Sequence, residues 1–212
     1  MVNSFGFFDI NNTLITLWSY PLSYTEFIGT VFGLNAVWLA TRQKIISWPL
    51  GMISVACFFI LLFQVQLYSG MFLQAFFFFS NIYGWIIWSK QLSENEAPTV
   101  LTTKWRIWIA LLIAATTLLV GLIIQQLPNL FPTIFPKPAS QVYFDAFVAI
   151  ASIAGQLMLT RRIFDNWYIW LIVNCVSVFV FFRQGLYLLT IEYIIFVLLA
   201  IKGIVDWKKT TR

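Results

Sequence analysis

The sequence predicts an all-α membrane protein with seven transmembrane helices. Of its 212 residues, 60% are hydrophobic and 10% are charged, whereas a soluble domain carries about 25% charged residues. The chain therefore has too few polar side chains to cover a globular surface, and lipid must be its main outer solvent. Its 22 Phe and 10 Trp residues suit a helix bundle with aromatic belts at the two membrane interfaces.

Seven apolar segments are candidate spans, although some fall short of the roughly 20 mostly apolar residues that a span needs. Their approximate bounds are Glu26–Ala40, Ile46–Phe63, Tyr68–Trp88, Trp105–Gln125, Val142–Leu159, Trp167–Phe182 and Leu186–Lys202. The shorter segments are expected to tilt or to thin the bilayer locally. Between the spans, Ser89–Lys104 is polar and is predicted to be a loop. Gln126–Gln141 holds four prolines and is predicted to be an irregular connection outside the hydrocarbon, because proline breaks a helix interior.

Residues 1–25 precede the first span and are predicted to lie on the membrane surface. The run is apolar, but it contains no Lys or Arg, so the basic region of a cleaved signal peptide is missing. Polar residues and a proline interrupt it, which favours an interfacial segment over a span. The side chains expected to anchor it in lipid are Phe5, Phe7, Phe8 and Trp18.

The basic residues predict the orientation of the chain. The first, third and fifth loops and the C-terminus together hold eleven of the 13 Lys and Arg residues, and the opposite side holds two. Basic loops remain in the cytoplasm, so the N-terminus is predicted to be outside and the C-terminus cytoplasmic. The same distribution explains the net charge of +5 without a nucleic-acid partner.

Catalytic and metal-binding patterns are absent from the sequence. There is no histidine, which is the commonest metal ligand and a common general base. The motifs of zinc proteases, phosphate-binding loops and serine hydrolases are also missing. Cys57 and Cys175 fall inside apolar segments and are interpreted as reduced, small hydrophobic residues. We therefore expect no catalytic residues, no metal site and no cofactor.

The chain also contains an internal repeat. Residues 26–88 overlay residues 145–207 without a gap at a shift of 119 positions, and ten of the 63 pairs are identical. The most informative identical pairs are Trp48 with Trp167, Gly84 with Gly203, and Trp88 with Trp207. Each repeat holds three spans, so the fourth span, within residues 89–144, must cross once more if both repeats share one orientation. Parallel repeats of this 3+1+3 kind occur in the sugar-transporting SWEET fold, where they flank a central cleft.

Polar side chains deep in a membrane are costly, and each needs a reason to be there. Two helical stripes combine amides with aromatic rings. They are Gln74, Phe78, Asn81 and Trp85 on the third span, and Trp167, Trp170, Asn174 and Ser177 on the sixth. Such a stripe can stack on a flat ring and hydrogen-bond its substituents, although amides also join helices without any ligand. Asn35, Gln156 and Glu192 are the other polar residues predicted near mid-span.

Comparison of the repeats favours a binding site over a structural seam. The polar positions are not repeated, since Asn174 is matched by Val55, Trp170 by Gly51, Asn81 by Ala200, and Glu192 by Leu73. Such asymmetry suits one asymmetric ligand. Glu192 could bind a cation, carry a proton or sit protonated against a neighbouring helix, and Trp167 could equally be scaffold or an interfacial anchor, like Trp48. The candidate substrate-binding residues are Gln74, Asn81, Trp85, Gln156, Trp167, Trp170, Asn174 and Glu192.

Several stretches resemble the PnuC transporter family. The run from Arg161 to Trp170, with Asn174 and then Gln184-Gly185-Leu186-Tyr187 after it, is similar to the Trp-x-x-Trp signature region of that family. Tyr83-Gly84-Trp85-x-x-Trp88 and Thr25-Glu26-x-x-Gly29 also look like it. The resemblance extends over residues 25–207, which is nearly the whole chain.

This resemblance implies a nicotinamide riboside transporter of a bacterial inner membrane with a SWEET-like fold. It further implies facilitated diffusion, trapping of the nucleoside by a cytoplasmic kinase, and a homo-oligomer such as a trimer. In the family an acid often stands where this chain has Asn174, and relatives carry thiamine or riboflavin, so another vitamin is the alternative cargo. A membrane enzyme or assembly factor without transport activity is the alternative from another class.

Overall fold

Seven α-helices occur in the described residues, one in each predicted apolar segment. The computed structural model describes residues 6–17, 20–65, 68–93, 96–130 and 141–211. The helices are α1 (Tyr24–Thr41), α2 (Ser47–Gln64), α3 (Tyr68–Ser93), α4 (Thr103–Leu130), α5 (Val142–Thr160), α6 (Asn166–Arg183) and α7 (Tyr187–Lys208). A short 3-10 helix (Gly6–Phe8) and an antiparallel pair of strands, β1 (Thr13–Leu17) and β2 (Tyr20–Ser23), precede them.

Six of these helices, α2 to α7, are long and apolar enough to cross a membrane. Helix α1 is 18 residues long but less apolar, because it includes Glu26 and Asn35. By length and composition, the described part of the chain therefore holds six candidate spans, one fewer than the sequence analysis predicted.

Several predicted boundaries were wrong, because helices continue beyond the apolar runs. Helix α3 extends to Ser93 and α4 begins at Thr103, so the predicted loop over residues 89–104 is shorter than expected. Helix α4 also continues to Leu130, past Pro128, where an irregular connection was predicted. Only two helical residues follow this proline. The loss of one backbone hydrogen bond so close to a helix end costs less than a break in a helix interior. The remaining prolines of that connection, at 132, 136 and 138, lie outside the described residues.

The N-terminal segment contains a hairpin that its apolar composition did not indicate. It is attached to the end of α2 through Gln64, whose Oε1 accepts the backbone N–H of Ile10 at 3.0 Å and whose Nε2 donates to the carbonyl of Phe8 at 2.8 Å. Phe7 and Phe8 are exposed. The other two expected anchors, at positions 5 and 18, are not among the described residues, so the interfacial location of this segment remains a prediction.

Helix packing follows chain order within two groups of three helices. Helix α2 contacts α1 and α3, and α6 contacts α5 and α7. Two further contacts join the groups, one between α1 and α7 and the other between α3 and α5. Helix α4 packs against α5. The bounds of the two groups correspond closely at a shift of 119 residues: α2 spans Ser47–Gln64 and α6 spans Asn166–Arg183.

Four tryptophans, which we call the tryptophan cluster, lie at the centre of the hydrophobic core: Trp48, Trp88, Trp167 and Trp207. The ring centroids of Trp48 and Trp88 are 5.2 Å apart, and those of Trp167 and Trp207 are 5.6 Å apart. Trp88 and Trp207 then meet at 5.8 Å. These distances and angles are typical of favourable edge-to-face and tilted aromatic pairs, so the cluster joins the two groups of helices.

Hydrogen bonds from the cluster cross between the groups reciprocally. The Trp88 indole Nε1 donates to the carbonyl of Leu159 on α5 at 3.1 Å, and the Trp207 Nε1 donates to the carbonyl of Ala40 on α1 at 3.0 Å. Donors and acceptors are related by the same shift of 119 residues. Both indoles are fully buried, so each bond satisfies a donor that would be costly to leave unpaired.

Helix α4 is tied to the connection between α5 and α6 through Asp165. One carboxylate oxygen, Oδ1, accepts the Nε hydrogen of Arg106 at 2.6 Å, and Oδ2 accepts the backbone N–H of Leu101 at 2.8 Å. A backbone bridge between Thr99 and Ile163 runs beside them. The Asp165 side chain is 6% exposed and that of Arg106 is 45% exposed, so the pair is shielded from water on one side.

We expect Asp165→Asn to loosen this attachment. The substitution removes a charge that accepts two hydrogen bonds, and bonds to charged groups contribute about 1.5–3 kcal/mol each, with the lower end expected because Arg106 is half exposed. The measurement is the apparent melting temperature in detergent. Asp206→Asn is the control, because Asp206 forms a partly exposed ion pair with Lys202 four residues away on one helix, a type worth about 0.3–0.5 kcal/mol. Equal melting of the two variants would contradict the proposed attachment.

Candidate functional site

A cavity of about 280 Å³ lies between the two groups of three helices. All six helices of those groups line it, whereas its lining includes no residue of α4. Its wall is mostly apolar and carries a few polar side chains, which is the composition of small-molecule sites. The volume lies just below the usual range for such sites, about 300–1,000 Å³.

Positions related by the shift of 119 residues line the cavity from opposite sides. Some pairs share their chemistry, such as Trp48 with Trp167 and Phe77 with Phe196. In most pairs one member is polar or larger than the other: Val37 with Gln156, Gly51 with Trp170, Val55 with Asn174, Gln74 with Tyr193, and Asn81 with Ala200. The cavity is therefore similar in shape on its two sides but chemically asymmetric.

Three amide side chains of the cavity have no hydrogen-bond partner within the described part of the chain: Gln74, Gln156 and Asn174. Gln156 and Asn174 are 7% and 6% exposed. An unpaired buried polar group costs about 1–3 kcal/mol. A ligand with complementary donors and acceptors would remove that cost, so these amides are available for recognition.

Asn81 differs from these three amides because it is partly satisfied by its own helix. Its Nδ2 donates to the backbone carbonyl of Phe77 at 2.9 Å. Its Oδ1 faces Gly51, where a Cβ atom would lie 2.7 Å away. Glycine at position 51 therefore makes room for this amide, which retains free acceptor capacity.

Two aromatic rings approach each other from opposite groups of helices. The ring centroids of Phe77 on α3 and Trp170 on α6 are 6.5 Å apart, with an interplanar angle of 50°. Trp170 packs closely on α5, because a Cβ added to Gly155 would lie 3.3 Å from its Nε1. Aromatic faces attract flat and cationic rings, and both of these residues line the cavity.

Six of the eight residues predicted to bind substrate line the cavity: Gln74, Asn81, Gln156, Trp167, Trp170 and Asn174. Trp85 does not, and its side chain is 42% exposed. One turn of the helix beyond Asn81, either position 84 or position 85 could point into the bundle, because the helical period is 3.6 residues. Gly84 takes the inward position, against the ring of Trp48.

Glu192 is the second predicted site residue that is not among those lining the cavity. It lies beside Glu26 and Thr30 of α1, in the first third of α7, because α7 runs from Tyr187 to Lys208 rather than ending near 202. Its predicted position near mid-span was therefore wrong. At the same end of the bundle, the Tyr20 hydroxyl donates to Glu26 at 2.9 Å, and partial burial together with this carboxylate raises the pKa of Tyr20 to about 12.

Phe77, Tyr193 and Phe196 line the cavity although they were not among the predicted site residues. Phe77 and Phe196 are one of the ten identical pairs of the repeat, and that identity was the available signal. Apolar side chains in an apolar span stand out little by composition. The predicted stripe on the third span contained the neighbouring Phe78 instead.

The tryptophan cluster closes the cavity toward the end of the bundle where most basic residues lie. Trp48 and Trp167 line the cavity, and their buried indole Nε1 atoms have no partner in the described residues. Beyond the cluster, the buried Arg162 donates to the Gln43 Oε1 at 2.6 Å and to the carbonyl of Glu96 at 2.7 Å. Burial lowers the pKa of the Arg162 guanidinium. Gln43 and Arg162 are also related by 119 residues, and both have a positive φ, 53° and 52°.

Residues 23–209 match the family described as nicotinamide mononucleotide transporter. The nicotinamide riboside transporter PnuC of Escherichia coli (strain K12) is 34% identical, with 97% of this chain and 95% of that protein covered. This chain belongs to that transporter family.

A more distant relative and a solved structure are also similar to this chain. The riboflavin/roseoflavin transporter RibM of Streptomyces davaonensis is 24% identical, over 93% of this chain and 91% of that protein. The crystal structure of the vitamin B3 transporter PnuC superposes with a TM-score of 0.64 at 21% identity, covering 86% of this chain and 80% of that one. The relatives are named as transporters. This chain shares the helical fold of the solved transporter structure.

Proposed function

We propose that this protein carries nicotinamide riboside into the cell by facilitated diffusion. The observation that carries the proposal is the cavity between the two groups of helices, lined by Trp170, Phe77 and amides that lack partners. Nicotinamide riboside has a flat cationic pyridinium ring, a carboxamide and a ribose. The aromatic faces suit the cationic ring, and the amides suit the carboxamide and the hydroxyl groups.

The absence of charge in the cavity supports a nucleoside over a nucleotide. The family description names a mononucleotide, whereas the Escherichia coli relative is named for the riboside. Phosphate recognition in proteins relies on Arg, Lys or the N-termini of helices. Among the described residues that line the cavity there is no Lys or Arg, so a phosphate there would lack a counter-charge.

We further propose that residues 26–88 and 145–207 act as two parallel three-helix repeats joined by a linker that contains α4. The corresponding helix bounds, the reciprocal bonds from Trp88 and Trp207, and the matched positions of the cavity wall support this arrangement. Alternating access then needs the two repeats to rock about the cavity. The tryptophan cluster must separate for cargo to leave toward the basic end, where a cytoplasmic kinase would trap the nucleoside by phosphorylation.

The direct test is a binding titration followed by uptake into liposomes. We expect the purified protein to bind nicotinamide riboside more tightly than nicotinamide mononucleotide, thiamine or simple sugars. Uptake of labelled riboside should proceed down its gradient until the inner and outer concentrations are equal, with no dependence on a proton or sodium gradient. Protein that binds none of these compounds and supports no uptake would contradict the proposal.

Riboflavin is the second candidate cargo, because RibM, a relative over most of the chain, is named for it. Its three-ring system is larger than a pyridinium ring, and a cavity of about 280 Å³ favours the smaller molecule. Including riboflavin in the same titration decides between the two. Tighter binding of riboflavin than of nicotinamide riboside would reverse the assignment.

Asn174→Leu is expected to weaken riboside binding by about 1–3 kcal/mol, because a polar group of the ligand would lose its partner. Leucine should not harm folding, since the Asn174 amide makes no hydrogen bond within the described chain. The matched control is Asn35→Leu, because Asn35 lies on the exposed side of α1 and its Nδ2 bonds the carbonyl of Val31 at 2.8 Å. Calorimetric titration of both variants measures the difference, and equal affinities would remove Asn174 from the site.

The proposed orientation places the C-terminus in the cytoplasm and the N-terminus outside, with α1 as a seventh span of the bacterial inner membrane. Eleven of the 13 basic residues then face the cytoplasm, as the distribution of Lys and Arg in membrane proteins requires. A fluorescent protein fused after Arg212 should mature and emit in the cytosol. Activity there of a reporter that works only in the periplasm would overturn this topology. A homo-oligomer, such as a trimer, is part of the proposal and is measured by light scattering in detergent.

A further inference from the structure

A second and larger cavity lies on the outside of the bundle, in a groove between α4, α5 and α6. Its volume is about 700 Å³, and its wall is apolar over most of its length. Helix α4 packs against α5, and no contact between α4 and α6 occurs within the described ranges. The groove is therefore open on its outer side, where membrane lipid would face it.

The groove reaches about halfway across a bilayer. Its lining on α4 extends from Arg106 to Leu118, which is about 18 Å at 1.5 Å per residue, and one leaflet of the hydrocarbon core is about 15 Å deep. Beyond that depth α4 closes onto α5, since a Cβ added to Gly121 would lie 2.5 Å from the ring of Tyr143. A groove of one-leaflet depth fits an acyl chain better than a transmembrane helix of a second copy.

At the end where α4 begins, the groove is lined by one basic side chain, Arg106. Arg106 uses its Nε to bond Asp165, and its two terminal NH2 groups have no partner in the described residues. Lys104 on α4 and Arg161 beside the α5–α6 connection are exposed, and neither forms an ion pair there. Lys104 precedes Arg106 by two residues and Arg161 precedes Asp165 by four, so both add positive charge at this end of the two helices. Guanidinium groups bind phosphate through paired hydrogen bonds, and basic clusters at helix ends on the cytoplasmic side attract anionic lipid headgroups.

We infer that this groove binds one anionic phospholipid from the leaflet on the basic side. The phosphate lies at Arg106, Lys104 and Arg161, and one acyl chain lies along α4 between Ala110 and Leu118. The site is separate from the central cavity, because the linings of the two cavities share no residue and only the lining of the groove includes a basic side chain, Arg106. It requires no assumption about the cargo.

The experiment uses purified, delipidated full-length protein in detergent, with phosphatidylglycerol or phosphatidylcholine added in turn. Native mass spectrometry counts the lipids retained, and the melting temperature reports their effect on stability. We expect one phosphatidylglycerol molecule to be retained in preference to phosphatidylcholine. Each Lys or Arg near the headgroup should contribute roughly a fivefold preference.

Two pairs of variants test the acyl chain and the headgroup separately. Ala114→Phe places a ring inside the groove, whereas Ala115→Phe adds the same ring to an exposed neighbour that does not line it. We expect the first to lose the bound lipid and the second to retain it. Lys104→Gln should reduce the preference for phosphatidylglycerol roughly fivefold. Lys44→Gln, which removes an exposed charge on a different connection at the same end of the bundle, should leave the preference unchanged.

Three results would overturn the inference. The first is equal retention of both lipids by the parent protein. The second is unchanged retention of phosphatidylglycerol by Ala114→Phe. The third is a change of oligomeric state in Ala114→Phe without a change in lipid retention, because that result would identify a second copy of the chain as the occupant of the groove.

Discussion

Replacing Trp170 by alanine is expected to weaken binding of nicotinamide riboside by roughly 5- to 150-fold, which corresponds to about 1–3 kcal/mol. The Trp170 indole lines the cavity and approaches Phe77 from the opposite group of helices. Its loss removes both stacking on the flat ring and attraction between the indole face and the pyridinium charge. Trp170 packs against Gly155 on α5. Alanine at position 170 would therefore leave an unfilled space beside that glycine.

The control for this prediction is Trp85→Ala. The sequence placed Trp85 in the same stripe as Gln74 and Asn81, but the structure has it exposed and outside the cavity lining. Titration of each variant with nicotinamide riboside gives the affinities, and elution profiles in detergent report folding. If Trp85→Ala lost affinity while Trp170→Ala bound like the parent, the cavity would be the wrong site and the outer face of α3 the right one.

Gly203→Ala is expected to destabilise the folded protein by about 1–3 kcal/mol, the usual cost of overpacking a core. A Cβ atom at this position would lie 2.3 Å from the ring of Trp167, a distance at which the ring must move. That ring has little freedom, because Trp167 is buried and packs edge-to-face on Trp207. Gly84→Ala should behave alike, since its Cβ would lie 2.3 Å from Trp48. The apparent melting temperature should fall by several degrees.

Gly70→Ala provides the matched control within a helix of the same kind. Its Cβ would lie 3.1 Å from a terminal methyl carbon of Leu62, which can rotate away. Alanine is favoured over glycine within a helix by up to about 1 kcal/mol, so this variant should melt at or slightly above the parent temperature. A Gly203→Ala protein that melts with the parent and transports normally would show that the tryptophan cluster tolerates rearrangement.

Identical and unequal pairs of the repeat have different roles in this fold. Among the identical pairs, Trp88 and Trp207 build the contact between the two groups of helices, and Gly84 and Gly203 make room for Trp48 and Trp167 within each group. Unequal pairs, such as Val55 with Asn174, supply the chemistry of the cavity. A scaffold that is similar on both sides can rock about its centre, while an asymmetric wall can hold a ligand that has no symmetry of its own.

The sequence by itself determined the seven helices, because runs of apolar residues must be helical to satisfy their backbone groups in lipid. It also determined the alignment of the two groups of three helices, since glycine and tryptophan at matching positions reflect close packing that few other residues allow. The aromatic and amide chemistry of the cavity wall could also be predicted, because polar groups within an apolar span are few, and Gln156, Trp170 and Asn174 stood out by type alone.

Tertiary structure alone decided which side chains face the cavity and where each helix ends. A helical period of 3.6 residues leaves the inward direction ambiguous after a few turns, and the packing of Gly84 on Trp48 resolved it against Trp85. Phe77 rather than Phe78 faces the cavity, and Glu192 lies near the start of α7 because that helix continues to Lys208. The groove beside α4 could not be read from the sequence either, because it results from the divergence of three helices whose apolar faces look alike in composition.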